Sequence, residues 1–212
     1  MSAARQGERA ALGTQALNDI LFLDTSLGFF SAGYIKNGKI RTCRERAGSI
    51  SRELEGMLAD FLARDSLKPG SFGNYAYNPG PGSFTGLRAG ASYLSGLCSA
   101  LGSDLWYIPL KSVADAEFLK GPGDAFLRSS KRREFYYTDN SMEGFRTVSE
   151  EDVPALGKKR LFYEGTYDFS GIPGLIPVTL YPEMFLKNSG SMKKIEKNGL
   201  MFYYINDPDT GK

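Results

Sequence analysis

The chain has 212 residues, 42% hydrophobic and 24% charged, the balance of a soluble globular protein large enough for one domain or two small ones. A formal charge of +2 is too small to imply a nucleic-acid surface by itself, and no apolar run approaches the roughly 20 residues of a membrane span. Histidine is absent, which excludes a Ser-His-Asp triad, a Cys-His pair and any His-ligated metal site.

Residues 1–18 carry Arg5 and Arg9 but no apolar segment, so they read as a short N-terminal extension and not as a secretory signal. The first element expected is a strand, Ile20 to Leu23, ending abruptly at Asp24-Thr25-Ser26. That triplet reads either as a turn of turn-forming residues or as a phosphate-facing loop whose carboxylate approaches a metal; spacing alone favours the turn. Phe29 to Ile35 is expected to return as a second strand, Asn37-Gly38 signals a hairpin, and Ile40 to Arg44 makes a third strand. Ser49 is placed to cap a helix whose apolar stripe is Ile50, Leu54, Met57, Leu58, Phe61 and Leu62. Lys68-Pro69-Gly70 breaks it, and Phe72 to Tyr77 leads as a strand into Gly80-Pro81-Gly82-Ser83-Phe84-Thr85-Gly86-Leu87-Arg88.

The helix that leaves this loop runs to Leu101. Leu87, Ala91, Leu94, Cys98 and Leu101 form its apolar face, while Gly86, Ala89, Gly90, Ser92, Gly96 and Ala100 leave another side without bulk. Ser92, Gly96 and Ala100 recur every four residues, which fits close helix–helix contact with a neighbouring helix of the same chain or with a partner's. Cys43 and Cys98 read as reduced thiols of a cytoplasmic protein.

Leu105 to Pro109 is the next strand, and Ser112 to Phe118 a capped helix start. Beyond Gly121-Pro122-Gly123 aromatics are dense and helical periodicity is poor. Strands are expected at Ala125 to Arg128, Glu134 to Thr138, Phe145 to Val148, Leu161 to Tyr163, Leu175 to Val178 and Leu200 to Ile205. Ser149-Glu150-Glu151-Asp152 resembles an acidic helix start, and Lys131-Arg132-Arg133 a solvated basic turn. No internal repeat is visible.

A glycine-rich loop opening a helix invites a phosphate, but the spacing fails each standard pattern. Gly80-x-Gly82 lacks the third glycine of the dinucleotide fingerprint, and Gly86 is followed by Leu87-Arg88 where a Walker A loop needs Lys-Ser/Thr. Pro81 stands where a nucleophile elbow around Ser83 needs glycine, and Ser83 has no histidine for a base.

The nine residues Gly80 to Arg88 closely resemble the signature of the TsaB (YeaZ) family. Ile20 to Ser26 resembles that family's opening strand and Asp-Thr-Ser turn, and Lys131 to Tyr136 a drifted form of its Ala-Arg-x-Gly-Glu-Val-Tyr strand. Phe202 to Asn206 stands where members carry Pro-x-Tyr-Leu-Arg. The likeness covers Ile20 to about Pro109 well and the remainder weakly. It implies an α/β fold of the actin-like ATPase and ribonuclease-H-like kind in two halves, the first ordered β-β-β-α-β-α-β. Residues 19–110 would form the N-terminal subdomain and 111–212 a compact, divergent C-terminal one.

The resemblance also implies a function. Members work in making threonylcarbamoyladenosine next to the anticodon of tRNA, as a non-catalytic cytoplasmic subunit that pairs with TsaD and supports recruitment of TsaE. A homodimer through the same face would be the state without TsaD, and tRNA would be met indirectly. Docking would fall on Leu87, Ala89, Gly90, Ser92, Tyr93, Gly96 and Ala100, with Ser49, Arg52 and Glu53 from the preceding helix. Asp24, Thr25 and Ser26 would be a degenerate nucleotide loop. No cofactor or metal is expected on this chain alone; ATP and a metal ion would be used by the partner subunits. Peptidase activity is not expected. Two other readings stand beside this one. An actin-like small-molecule kinase would use Asp24 near Mg²⁺ and Thr25 and Ser26 at phosphates. Direct tRNA contact would use Lys131-Arg132-Arg133 with Tyr136 and Tyr137.

Overall fold

A computed structural model of the chain describes residues 19–129, 133–166, 172, 174–196 and 199–202. Its first strands are β1 (Asp19–Asp24), β2 (Phe29–Lys36) and β3 (Lys39–Arg46). They form the expected antiparallel meander, with Asn37 and Gly38 both at positive φ in the hairpin between β2 and β3. Helix α1 (Ile50–Ala63) follows, then β4 (Asn74–Tyr77), α2 (Phe84–Leu101), β5 (Asp104–Tyr107) and α3 (Leu110–Glu117). The second stretch contains β6 (Asp124–Ser129), β7 (Glu134–Asp139), β8 (Arg146–Ser149), β9 (Arg160–Glu164) and β10 (Leu175–Pro177). A short helix α4 (Pro182–Lys187) and a two-residue strand β11 (Lys193–Lys194) complete it.

The strands make two sheets, ordered β11-β5-β4-β1-β2-β3 and β10-β9-β6-β7-β8. In the first, β4 lies parallel to β1 and β5 parallel to β4; in the second, β9 lies parallel to β6 and β10 parallel to β9. Each sheet thus contains a three-strand meander extended by two parallel strands, and β11 adds a sixth strand to the first, antiparallel to β5. The topology is a duplication, although the sequence shows no repeat. It is the mixed α/β architecture in two halves expected from the signature residues, and the first half keeps the order β-β-β-α-β-α-β.

Strand β1 is apolar on both sides because both of its faces are covered. Leu21 and Leu23 pack with α1 and α2 side chains such as Leu54, Leu58, Ala91 and Leu94. Ile20 and Phe22 face the opposite way, towards α3, α4 and Phe126 of β6. The second stretch therefore helps to build the first sheet's core. Phe185 of α4 stacks on Phe22 at 4.6 Å, and a Cβ on Gly33 of β2 would lie 3.0 Å from both Pro182 and Leu186. β11 closes the edge beside β5, and the Tyr77 hydroxyl both accepts from Met201 N and donates to Met201 O.

Several local expectations are corrected. Ser49 precedes α1, but its hydroxyl makes no cap; the Glu53 carboxylate turns back to accept from Gly48 N and Ser49 N. Helix α2 begins at Phe84, so Phe84 to Arg88 of the signature are its first turn. Helix α3 starts at Leu110 after Pro109, and Ser112 lies inside it without capping. The acidic Ser149–Asp152 segment is a single 3₁₀ turn, with the Ser149 hydroxyl accepting from Asp152 N. Residues 200–202 are not a strand. Residues 1–18, Lys131, Arg132 and 203–212 lie outside the described residues. Among the described residues no helix is long and apolar enough to cross a membrane.

Candidate functional site

The signature loop is shaped by the turn after β1. Ser83 N donates to Ser26 O at 2.7 Å, and the Thr25 hydroxyl donates to Gly86 O at 2.6 Å. These contacts need bare backbone. A Cβ at Gly86 would lie 2.1 Å from Thr25 O, one at Gly82 2.6 Å from Ser26 O, and one at Gly90 2.5 Å from Thr25 Oγ1. Gly80 adopts φ +113°, a conformation that suits glycine, and its N–H donates to Asn78 Oδ1. Ser83 caps α2 through its hydroxyl, which accepts from Gly86 N. Its side chain faces outward, as do those of Thr85 and Arg88, with the Arg88 guanidinium 3.7 Å over the Phe84 ring.

Asp24, Thr25 and Ser26 are buried. Asp24 Oδ1 accepts from Ser26 N and Ser26 Oγ, and Oδ2 accepts from Asn78 Nδ2 at 3.0 Å and Arg128 Nη2 at 3.2 Å. A carboxylate has about four acceptor positions, so this one is saturated. Burial alone would raise the Asp24 carboxyl; the Arg128 guanidinium, with the bonds from Ser26 and Asn78, outweighs it and holds the carboxyl below its usual range. A metal at Asp24 would have to displace Arg128. No group of three or more His, Cys, Asp or Glu side chains among the described residues is arranged to hold a metal.

Arg128, at 1% exposure, is the residue that sequence reasoning missed. The one signal was a charge inside an otherwise apolar strand, Ala125-Phe126-Leu127-Arg128. The Cys43 thiol is pushed up to about 12 and that of Cys98 to about 11, both chiefly by burial. Both stay protonated at neutral pH and are poor nucleophiles.

The expected docking residues divide by burial. Leu87 and Gly90 are buried, Gly90 close against Thr25, so they support a face and do not present one. Ser92, Gly96 and Ala100 are exposed along α2, Ala89 and Tyr93 are half-buried beside them, and Arg52 and Glu53 are exposed on α1 with Ser49 half-buried. A Cβ on Gly96 would meet nothing within 4 Å. The chain's own packing thus gives no reason for glycine there. The same holds for Gly56 in mid-α1, which the sequence reading passed over. A mid-helix glycine costs about 1 kcal/mol relative to alanine, and close packing within the chain offsets that cost at neither position.

Of the basic cluster, only Arg133 is described. It sits at φ +65° immediately before β7, as Gly28 sits at φ +74° immediately before β2. The turn before the second strand of each meander thus holds a left-handed residue, glycine in one and arginine in the other.

No family model matches the chain. It is 34% identical over 95 residues to the tRNA threonylcarbamoyladenosine biosynthesis protein TsaB of Haemophilus influenzae, a match covering 44% of this chain and 39% of that protein. It is 28% identical over 138 residues to an uncharacterized protein of Mycobacterium bovis, 62% of this chain and 63% of that one. The chain thus spans less than two thirds of either relative. Among solved structures, an uncharacterized Pseudomonas aeruginosa protein with similarity to the peptidase YeaZ superposes with a TM-score of 0.67 at 20% identity. That match covers 89% of this chain and all of that one. YeaZ of the same organism gives a TM-score of 0.58 at 20% identity, covering 82% and 91%. The 95-residue match is thus to a TsaB protein, and the fold is shared with YeaZ structures.

Proposed function

We propose that this chain is a non-catalytic subunit in the making of threonylcarbamoyladenosine in tRNA, the process for which the Haemophilus relative is named. In this reading it works in the cytoplasm, pairs with TsaD through the exposed face of α1 and α2, and supports recruitment of TsaE. The observation that carries it is the pair of exposed mid-helix glycines, Gly56 and Gly96, with no neighbour of their own fold to accommodate. A low helix face lets a second backbone approach closely. The signature loop then acts as scaffold: Gly82, Gly86 and Gly90 seat the first turn of α2 on the Thr25-Ser26 turn and fix where that face begins.

The reactive groups of the loop support a subunit without chemistry of its own. Ser83 is exposed, but the chain holds no histidine to serve as its base, so peptidase action is not part of the proposal. ATP and a metal ion belong to the partner subunits in this reading, with none bound by this chain alone. A kinase reading would require Asp24 to give up Arg128 for Mg²⁺, and micromolar binding of Mg-ATP by calorimetry would revive it. Contact with tRNA is indirect in the proposal; Arg133 of the basic cluster is ion-paired with Glu150 at 3.8 Å.

The test is co-purification with TsaD. Gly96→Phe and Ser92→Arg leave the fold intact, because both positions face outward, and abolish capture of TsaD. Undiminished capture by both variants would sink the reading. Loss of a homodimer in the same variants would show that the free chain uses the same face. Gly90 is unsuited to this test, because any side chain there strikes Thr25 and disturbs the fold itself.

A further inference from the structure

The two sheets approach each other beside the end of β1, where four charged side chains alternate in sign. Asp24 of β1 pairs with Arg128 of β6 at 3.2 Å. Arg128 Nε stands 3.2 Å from Glu164 Oε2 of β9, an ion pair whose angle falls short of a hydrogen bond. Glu164 Oε1 in turn accepts from Arg44 Nη1 of β3 at 2.8 Å and from Leu180 N at 3.1 Å. Arg128 also donates to Pro81 O of the signature loop at 3.3 Å, and Arg44 to Leu180 O at 2.6 Å. The side chains of Asp24, Arg128 and Glu164 are at most 5% exposed, and that of Arg44 is 12% exposed.

Burying four charges is unfavourable, and apolar side chains of similar volume would join two sheets at least as well. Apolar contacts between the sheets already exist, with Phe126 of β6 in the same cluster as Phe22 and Ile20 of β1. What ion pairs add is directional: a planar guanidinium satisfies acceptors only where they lie around its fork. Here the fork donates to one carboxylate and one carbonyl of the first half, and its Nε edge is ion-paired with one carboxylate of the second.

We propose that Arg128 is a clasp between the two halves, holding the Asp24 turn and the signature loop in one fixed relation to the second sheet. The start of α2 is then set by the second half, although every residue of α2 belongs to the first. The inference concerns the chain alone and stands or falls separately from any docking to TsaD.

Hydrogen exchange of the intact chain tests it, comparing wild type with Arg128→Met and Arg128→Lys. Ser83 N, held by Ser26 O, and Leu180 N, held by Glu164, report on the clasp. Leu58 in α1 and Tyr137 in β7, each buried in a separate core, serve as references. The expected result for Arg128→Met is exchange about tenfold faster at Ser83 and Leu180 with the references little changed, the signature of local opening. Arg128→Lys falls between, since a point charge cannot reach both carboxylates as the fork does. If Arg128→Met does not fold, Arg128→Lys decides on the same comparison. In Arg128→Ala, millimolar methylguanidinium restores slow exchange at Ser83 and Leu180, and it leaves the wild type unaffected. Equal acceleration at reporters and references, no acceleration, or no response to methylguanidinium would each overturn the proposal.

Discussion

Gly96→Ala separates a surface kept low for a partner from a surface kept low by the fold. Gly96 lies within α2, is exposed, and has room on all sides for a methyl group, since no heavy atom beyond its own helix lies within 4 Å of the added Cβ. No steric cost therefore offsets the helix-propensity gain of about 1 kcal/mol from reduced unfolded-state freedom. For a chain of this size that corresponds to a rise in Tm of roughly 2–4 °C. Urea unfolding of the isolated chain followed by circular dichroism measures it through the midpoint, with the m-value unchanged. Two protein concentrations distinguish monomer stability from self-association, because a homodimer through this face would make the midpoint concentration-dependent. A destabilised Gly96→Ala monomer, or one with no shift at all, would refute the reasoning: the fold itself would then need the glycine.

Three further outcomes follow from the same structure. Gly86→Ala places a methyl group 2.1 Å from Thr25 O, so backbone must move, and the expected loss is about 1–3 kcal/mol or more by denaturant unfolding; a variant as stable as wild type would contradict the close approach of loop and turn. Arg133→Gly removes a side chain from φ +65° and should raise stability by about 0.5–1 kcal/mol after the entropy of the added glycine is deducted; a loss would show that its surface pairing outweighs the strain. Asp24 has a folded pKa below its unfolded value, so its contribution is present above about pH 4 and is lost as pH falls through the folded value. Asp24→Asn should therefore be less stable than wild type at neutral pH and show a shallower decline of unfolding free energy on acidification; parallel curves would show that the network does not govern acid stability.

The first half was legible because its chain carries strong local signals. Alternating apolar residues in β1 and β2, Asn37-Gly38, the helical stripe of α1 and the glycines of the loop each restrict the backbone before any tertiary contact forms. The boundaries that slipped lie where local and tertiary effects compete. Ser49 had the right residue type for a cap, but Glu53 reaches the free N–H groups instead. Helix α4 is only one and a half turns long, too short for periodicity, and its single sign was proline at its first position. β11 is two residues long and exists because β5 presents an edge to pair with.

The duplication was invisible for a different reason: topology constrains which positions are buried or turned, not which residue fills them. Gly28 and Arg133 share a left-handed position, and Asp24 and Ser129 both end the first strand of their half, yet neither pair resembles its counterpart in type. Arg128 could not have been placed from sequence either, because a charge at a strand end ordinarily reads as solvated. Its burial depends on Asp24, Pro81 and Glu164, which lie 104, 47 and 36 positions away. Only the pairing of β6 with β9, which sets Arg128 opposite Glu164 in register, brings the second carboxylate to it. The candidate docking face has the converse character. Ser92, Gly96 and Ala100 were readable as a four-residue repeat, but the repeat alone fits a neighbour of either origin. In the fold an added Cβ on Gly96 would meet no atom within 4 Å, so no neighbour of the chain's own requires glycine there.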